Sequence, residues 1–110
     1  MAFNPKTGLV YIPAHQIGMV YTGLPPKDFK LIPGYWNLGI LPGTMPDLKG
    51  YLLAWDSVNQ KEVWRVNYLG PWNGGVLTTA GNLVVQGNAA GDLGAYRADT
   101  GQKLWSMSTQ

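Results

Sequence analysis

The amino-acid sequence predicts an all-β protein made of about two four-stranded antiparallel sheets. Its 110 residues include 15 Gly, 8 Pro, 5 Trp, 6 Tyr and 2 Phe, a composition that favours short strands joined by tight turns over long helices. A segment near the middle of the chain also recurs near its end, which is typical of repeated structural units.

The internal repeat aligns residues 50–64 with residues 91–105 at an offset of 41 residues. One glycine, one leucine, one alanine and one tryptophan coincide in the two copies. Because the four-stranded blades of β-propellers repeat at roughly 40 to 45 residues, this offset predicts consecutive propeller blades.

Residues 70–110 contain the signals of one complete blade, in which four β-rich runs alternate with Gly- and Asn-rich turns. Its predicted strands are 75–79, 83–87, 93–97 and 103–107. Residues 1–69 predict an incomplete blade, with its innermost strand before residue 1. The strands predicted in it are 9–13, 51–56 and 62–67.

The first blade is predicted to carry a long loop insertion. The run that follows Gly8 corresponds to the run that follows Asn82, at an offset of 74 residues, which exceeds the repeat period by 33 residues. The excess falls in the Pro- and Gly-rich stretch from about 21 to 44, where no helix of useful length is expected. Loops this long are usually functional or poorly ordered, so a lid, an interface and a loose excursion all remain open.

Charge and cysteine content exclude several classes of function. Eight Lys and Arg balance six Asp and Glu without forming a basic run, so no nucleic-acid partner is expected. The absence of cysteine excludes disulfides, thiolate metal sites and attachment of c-type haem. No apolar run approaches about 18 residues and the N-terminus has no signal-peptide pattern, so neither a membrane span nor a signal peptide is expected.

Both repeats follow the pattern Ala-x-Asp-x2-Thr-Gly-Lys-x2-Trp, which resembles the tryptophan-docking motif of quinoprotein propellers. The spacing places a small residue and a tryptophan on adjacent antiparallel strands, where the indole can bury about 150 to 250 Å² against a neighbouring blade. The docking residues present in the two copies are Ala54, Trp64, Ala95, Gly101 and Trp105.

The first copy departs from the motif at its hairpin turn, where Gln60 stands in place of glycine. Glycine adopts a positive φ at little cost. If the turn keeps that geometry, Gln60 raises the local strain by about 1 kcal/mol.

The segment Trp72-Asn73-Gly74-Gly75 and the opening stretch 3–14 narrow the resemblance to the pyrroloquinoline-quinone (PQQ) dependent alcohol dehydrogenases, specifically the C-terminal part of their propeller. The resemblance covers essentially the whole chain. It implies an eight-bladed propeller, PQQ and calcium as cofactors, oxidation of primary alcohols or aldehydes, and a periplasmic location. It also implies that the partners of this chain are the remaining blades.

The resemblance places Trp72 beside the PQQ pocket, with Asn73 as a neighbouring cofactor contact; packing at a blade mouth is the alternative for Trp72. It places the catalytic base and the calcium ligands in earlier blades, so no catalytic or metal-binding residue is assigned here. The single histidine, His15, is expected to be an ordinary surface or edge residue. The carboxylates are expected in turns and on the surface. They are Asp28, Asp47, Asp56, Glu62, Asp92 and Asp99.

Three hypotheses follow. The first is a fragment of a PQQ- and calcium-dependent alcohol dehydrogenase that does not catalyse alone and holds no cofactor by itself. The second is a non-enzymatic quinoprotein-like propeller scaffold for protein–protein interaction. The third is a ring built from several copies of the chain, since isolated blades leave sheet edges and faces uncovered.

Overall fold

The computed structural model describes residues 1–45 and 48–109, apart from the side chain of Pro42. These residues form two four-stranded antiparallel sheets and one two-stranded hairpin, so the predicted all-β fold is confirmed. The strands are β1 (Ala2–Asn4), β2 (Leu9–Gln16), β3 (Tyr21–Gly23), β4 (Ile40–Pro42), β5 (Lys49–Asp56), β6 (Lys61–Tyr68), β7 (Asn73–Thr79), β8 (Leu83–Asn88), β9 (Asp92–Arg97) and β10 (Lys103–Ser108).

The first sheet has the strand order β1-β2-β5-β6. The sequence predicts its innermost strand before residue 1, whereas in the structure Ala2–Asn4 forms a short fourth strand paired with β2. A three-residue strand that ends at the Pro5–Gly8 turn is too short to show an alternating pattern, which explains why the sequence does not reveal it.

The second sheet is a meander of β7, β8, β9 and β10, each strand pairing with the next. The two sheets share their hairpin geometry as well as their sequence repeat. Ala54 pairs with Trp64 across β5 and β6, and Ala95 pairs with Trp105 across β9 and β10. A register irregularity lies beside each pair, so the 41-residue offset is preserved in three dimensions.

The insertion in the first sheet folds into a hairpin of β3 and β4 with a 3-10 turn at Pro26–Asp28. Its base is closed by backbone hydrogen bonds from Val20 N to Thr44 O and from Leu24 N to Gly39 O. Its tip is held by Asn37, whose amide accepts from Ile32 N and donates to Ile32 O. The insertion therefore has a defined hairpin structure, and its apolar side chains are largely exposed.

The core lies between the two four-stranded sheets, where the inward residues of alternating strands meet. The buried members from the first sheet are Leu9, Tyr11, Leu52, Ala54 and Trp64, and those from the second are Val84, Tyr96 and Ala98. The rings of Tyr11 and Trp64 pack against each other with centroids 5.6 Å apart. Both side chains also donate to one carbonyl of the second sheet, Ala98 O, from Trp64 Nε1 at 3.0 Å and from Tyr11 OH at 2.9 Å.

The Trp64 indole rests directly on the turn of the opposite hairpin. A Cβ atom at Gly101 would lie 2.7 Å from the indole carbons Cδ2 and Cε3, and Gly101 has a φ of 72°. Glycine is required at this position both for its left-handed backbone and for the space that the indole occupies. Trp64 thus joins the two sheets through packing and a buried hydrogen bond.

Candidate functional site

The candidate site lies where β7 begins, next to the end of β2. Trp72 immediately precedes β7 and leaves 62% of its surface exposed, an unusual exposure for so large an aromatic residue. Its carbonyl accepts a hydrogen bond from Ala89 N at 3.2 Å, which fixes its backbone against the loop after β8. The indole therefore projects from a fixed position rather than from a free loop.

Asn73, the first residue of β7, ties the two sheets together at this point. Its Nδ2 donates to Ala14 O of the first sheet at 3.1 Å. Its Oδ1 accepts from Gln86 Nε2 at 3.2 Å and from His15 Nε2 at 3.2 Å. The amide of Asn73 is thus bonded to both sheets, and its orientation is set by three partners.

His15 contacts both predicted cofactor residues. Besides its hydrogen bond to Asn73, its ring meets the Trp72 indole edge-on, with centroids 5.7 Å apart and planes at 71°. The residue is exposed at the end of β2, as expected for an edge histidine. Nothing in the sequence indicates that it lies against residues 57 and 58 positions further along, because that contact depends on how the sheets pack.

The buried Gln86 and the half-buried Tyr68 support this network through further hydrogen bonds. Gln86 is only 2% exposed, and its Nε2 also donates to Gly74 O at 2.8 Å. Its Oε1 accepts from the hydroxyl of Tyr68 at 2.8 Å. Burial raises the pKa of Tyr68, and the neighbouring Tyr96 raises it further, so the phenol remains a neutral donor. The sequence gives no sign of this pair, since an isolated glutamine in a strand is unremarkable.

An open cleft of about 730 Å³ between the sheets includes Trp72 in its wall. Other residues of the cleft wall are Tyr68, Asn88, Tyr96 and Lys103. Gly75, two residues inside β7 from Asn73, is exposed, and a Cβ there would meet no atom within 4 Å. The backbone beside Trp72 is therefore open to the close approach of a planar group.

Among the described carboxylates, only that of Asp92 belongs to a residue in the wall of this cleft. Asp56 accepts from the backbone of Val58 and Asn59, Glu62 pairs with Arg65, and Asp99 pairs with Arg97. Asp47 lies outside the described residues. Within residues 1–45 and 48–109, no three His, Cys, Asp or Glu side chains are grouped so that they could hold a metal ion.

The docking residues fall into two different environments. Trp64 is 9% exposed between the sheets, whereas Trp105 is 46% exposed on the outer face of the second sheet. Ala54 and Ala95 are both fully buried beside their tryptophans. In the part of the chain that the structure describes, no helix has the length and hydropathy needed to cross a membrane.

No family model matches the sequence. Comparison with known proteins nevertheless finds close relatives over the full chain. The sequence is 46% identical to the dehydrogenase subunit of alcohol dehydrogenase (quinone) from Gluconacetobacter polyoxogenes, over 98% of this chain and 16% of that protein. It is also 46% identical to a quinohemoprotein alcohol dehydrogenase of Pseudomonas putida, over 100% of this chain and 16% of that protein.

The structure agrees with these relationships. A solved quinohemoprotein alcohol dehydrogenase of Pseudomonas putida superimposes with a TM-score of 0.86 at 42% identity, covering 98% of this chain and 18% of that one. The predicted resemblance to quinoprotein alcohol dehydrogenases is therefore confirmed. The chain spans about one sixth of the length of the relatives that it matches.

Proposed function

We propose that this chain, which matches one segment of the quinoprotein alcohol dehydrogenases, forms two blades of an eight-bladed propeller enzyme that oxidises primary alcohols or aldehydes with PQQ and calcium. In this proposal Trp72 and Asn73 form part of the wall of the cofactor pocket. The chain does not catalyse alone. The remaining blades complete the site, and the assembled enzyme works in the periplasm.

The observation that carries the proposal is the exposed, fixed indole of Trp72 at the start of β7. A planar quinone can stack on an indole face, and such aromatic contacts are favourable beyond the area that they bury. His15 meets the indole in a T-shaped contact, and 62% of the Trp72 surface remains exposed for a ligand. The exposed Gly75 leaves the adjacent backbone open.

Asn73 has a double role in this proposal. Its side-chain amide forms hydrogen bonds with Ala14, His15 and Gln86, so it fixes the position of the start of β7 relative to the first sheet. Contacts that position a cofactor must be held within a fraction of an ångström, which requires such supporting hydrogen bonds. Asn73 therefore both borders the cofactor and fixes the position of Trp72.

The remaining chemistry must come from outside the described residues. Oxidation of an alcohol by a quinone needs a base to accept the hydroxyl proton, and a bound cation supplies polarisation of the quinone carbonyl. The carboxylate of Asp56 instead stabilises a turn, and those of Glu62 and Asp99 pair with arginines. We therefore place the base and the calcium ligands in the rest of the propeller.

A non-enzymatic propeller scaffold is the second candidate. It is favoured by exposed apolar side chains on the outer face of the second sheet, among them Leu77, Trp105 and Met107, which suit a protein partner. A scaffold has no use for an exposed aromatic residue fixed at the inner strand. The response of Trp72 to PQQ therefore discriminates between the two functions.

The test is a chimeric enzyme. The 110 residues replace the matching segment of the Pseudomonas putida quinohemoprotein alcohol dehydrogenase, and PQQ binding and alcohol-dependent dye reduction are measured. We expect an active chimera in which Trp72→Ala weakens PQQ binding by about tenfold, because the loss of one stacked aromatic amounts to about 1.4 kcal/mol.

Trp36→Ala is the matched control, since Trp36 is 90% exposed but lies in the insertion rather than at the start of β7. It should leave PQQ binding unchanged. A folded chimera that binds PQQ equally well with alanine at position 72 would remove Trp72 from the pocket. A folded chimera that takes up no PQQ would favour the scaffold.

A further inference from the structure

The linker between β6 and β7, residues 69–72, carries the chain back across the first sheet. In the register of that sheet, Gly50 of β5 lies between His15 of β2 and Tyr68 of β6. The linker starts after Tyr68, and at its other end the Trp72 indole meets the ring of His15. It therefore passes over β5 on its way from one side of Gly50 to the other.

The linker lies directly on Gly50. This glycine is buried on the core face of β5, on the same side as Leu52 and Ala54. A Cβ atom at Gly50 would lie 2.5 Å from both Gly70 O and Pro71 O. Heavy atoms in favourable contact lie about 3.5 Å apart, and both obstacles are backbone atoms. No side chain therefore fits at position 50 unless the linker moves.

A displacement of the linker at this point reaches the indole of Trp72. Pro71 adjoins Trp72, and its ring fixes φ at about −65°, so one torsion that could absorb a displacement is missing. On the far side, Ala89 N donates to Trp72 O at 3.2 Å, and the His15 ring stands against the indole. Raising the linker from β5 would therefore change the pose of Trp72 relative to His15.

We propose that Gly50 is a positioning residue of the candidate site. Because it has no side chain, the linker rests on β5, and the height of the linker sets the pose of Trp72 against His15. This inference deepens the proposed function and rests on it for the effect on PQQ, since the indole that Gly50 positions is the one on which the quinone stacks.

The first test uses the 110-residue chain without PQQ. His15 is the sole histidine of the sequence, so its ring protons give assignable NMR signals, and the ring current of the Trp72 indole shifts them. Trp72→Ala supplies the reference without the indole. We expect Gly50→Ala to move the His15 signals towards that reference. Gly70→Ala is the matched control and should leave them in place, since a Cβ there would meet no atom within 4 Å.

A second variant alters the same linker without adding a side chain to β5. Pro71→Gly keeps Gly50 but frees the φ angle beside Trp72, so the His15 signals should again move towards the reference. Circular dichroism shows whether each variant forms its sheets. A folded Gly50→Ala whose His15 signals stay in place would overturn the proposal. If Gly50→Ala does not fold, unchanged signals in Pro71→Gly would overturn it.

The second test measures PQQ binding by the chimeric enzyme. Gly50→Ala should weaken binding by about tenfold, as Trp72→Ala does. In a chimera that already carries Trp72→Ala, the same substitution should have no further effect, because a residue that acts through the indole then has nothing to position. Unchanged binding in the single variant, or an equal loss in both backgrounds, would overturn the positioning role. If the chimera takes up no PQQ while the His15 signals of the chain respond as expected, the proposed function fails and the positioning of Trp72 by Gly50 stands.

Discussion

Trp64 and Trp105 occupy the same position in two copies of one structural unit, yet one is buried and the other is half exposed. Within its own sheet each indole lies beside a buried alanine, and each follows a hairpin with a left-handed turn residue. The difference arises across the sheet, where Trp64 meets Gly101 and Ala98. The motif thus defines the position of the tryptophan, whereas the neighbouring sheet defines its burial.

The two hairpin turns also differ, but here the turn of the first copy is exposed and the turn of the second copy is packed. Gly101 lies beneath an indole and cannot tolerate a side chain, whereas Gln60 is exposed and has only its backbone conformation to satisfy. Gln60 therefore keeps only the expected backbone strain, because its exposed side chain meets no steric conflict among the described residues. A single repeat position can be essential in one copy and permissive in the other.

The largest expected difference between the copies concerns the tryptophans themselves. Trp64→Ala removes a buried aromatic and its hydrogen bond to Ala98, and should lower the free energy of unfolding by about 3 to 5 kcal/mol. Trp105→Ala removes a half-exposed side chain and should lower it by less than about 1.5 kcal/mol. Urea denaturation followed by circular dichroism measures both.

Equal losses for the two tryptophan variants would contradict this comparison, because they would mean that the sheets do not depend on Trp64 for their contact. A chain in which Trp64→Ala leaves both sheets intact but separated would show a normal far-ultraviolet spectrum and a lower urea midpoint. Trp36→Ala, in the insertion, provides the baseline loss of unfolding free energy for an exposed tryptophan.

Much of this fold follows from the sequence because the repeat carries local information. The predicted strands 51–56 and 93–97, and the turn that separates the predicted strands 93–97 and 103–107, are set by residues adjacent in the chain, and they agree with β5, β9 and the left-handed turn at Gly101. The first strand, Ala2–Asn4, is different, since its three residues are held mainly by pairing with β2. Short segments that depend on a partner carry no periodic signal of their own.

The candidate site is less predictable for the same reason. Trp72 and Asn73 are identified by a resemblance to a family motif, but the contacts that hold them come from His15, Ala14 and Gln86. These residues lie on two different sheets, and their proximity follows from packing rather than from spacing. The sequence therefore indicates which residues matter and leaves out how they are held.

A substitution at the Gly101 turn should have the second largest effect. Gly101→Ala adds a Cβ at a positive φ and pushes it into the Trp64 indole, so we expect a loss of about 2 to 4 kcal/mol in the free energy of unfolding. Gly8→Ala is the matched control, since Gly8 has a φ of 69° and no atom within 4 Å of its would-be Cβ. It should cost only the backbone term of about 1 to 2 kcal/mol.

The two glycine variants separate strain from steric conflict. If Gly101→Ala and Gly8→Ala destabilise equally, the contact between Gly101 and the indole has no energetic weight, and packing does not account for the difference between Gly101 and Gln60. A near-ultraviolet spectrum that changes only in Gly101→Ala would locate the disturbance at the indole.

The smallest expected effect concerns acid stability, where the hairpins use different carboxylates. Hydrogen bonds from the side chain and backbone of Asn59 lower the pKa of Asp56, and the Arg97 guanidinium holds the pKa of Asp99 well below its usual range. A carboxyl whose pKa is lowered by folding stabilises the protein above its unfolded pKa of about 3.9, and that contribution disappears as the pH falls through the folded pKa. Asp56→Ala and Asp99→Ala should therefore each lower the urea midpoint slightly at neutral pH and reduce its decline in acid.

The two carboxylates should also differ in their response to salt. Because Asp99 forms an exposed ion pair and Asp56 accepts hydrogen bonds from uncharged donors, high salt should weaken the effect of Asp99→Ala more than that of Asp56→Ala. Identical salt dependence in the two variants would show that the hairpins are stabilised by the same kind of interaction.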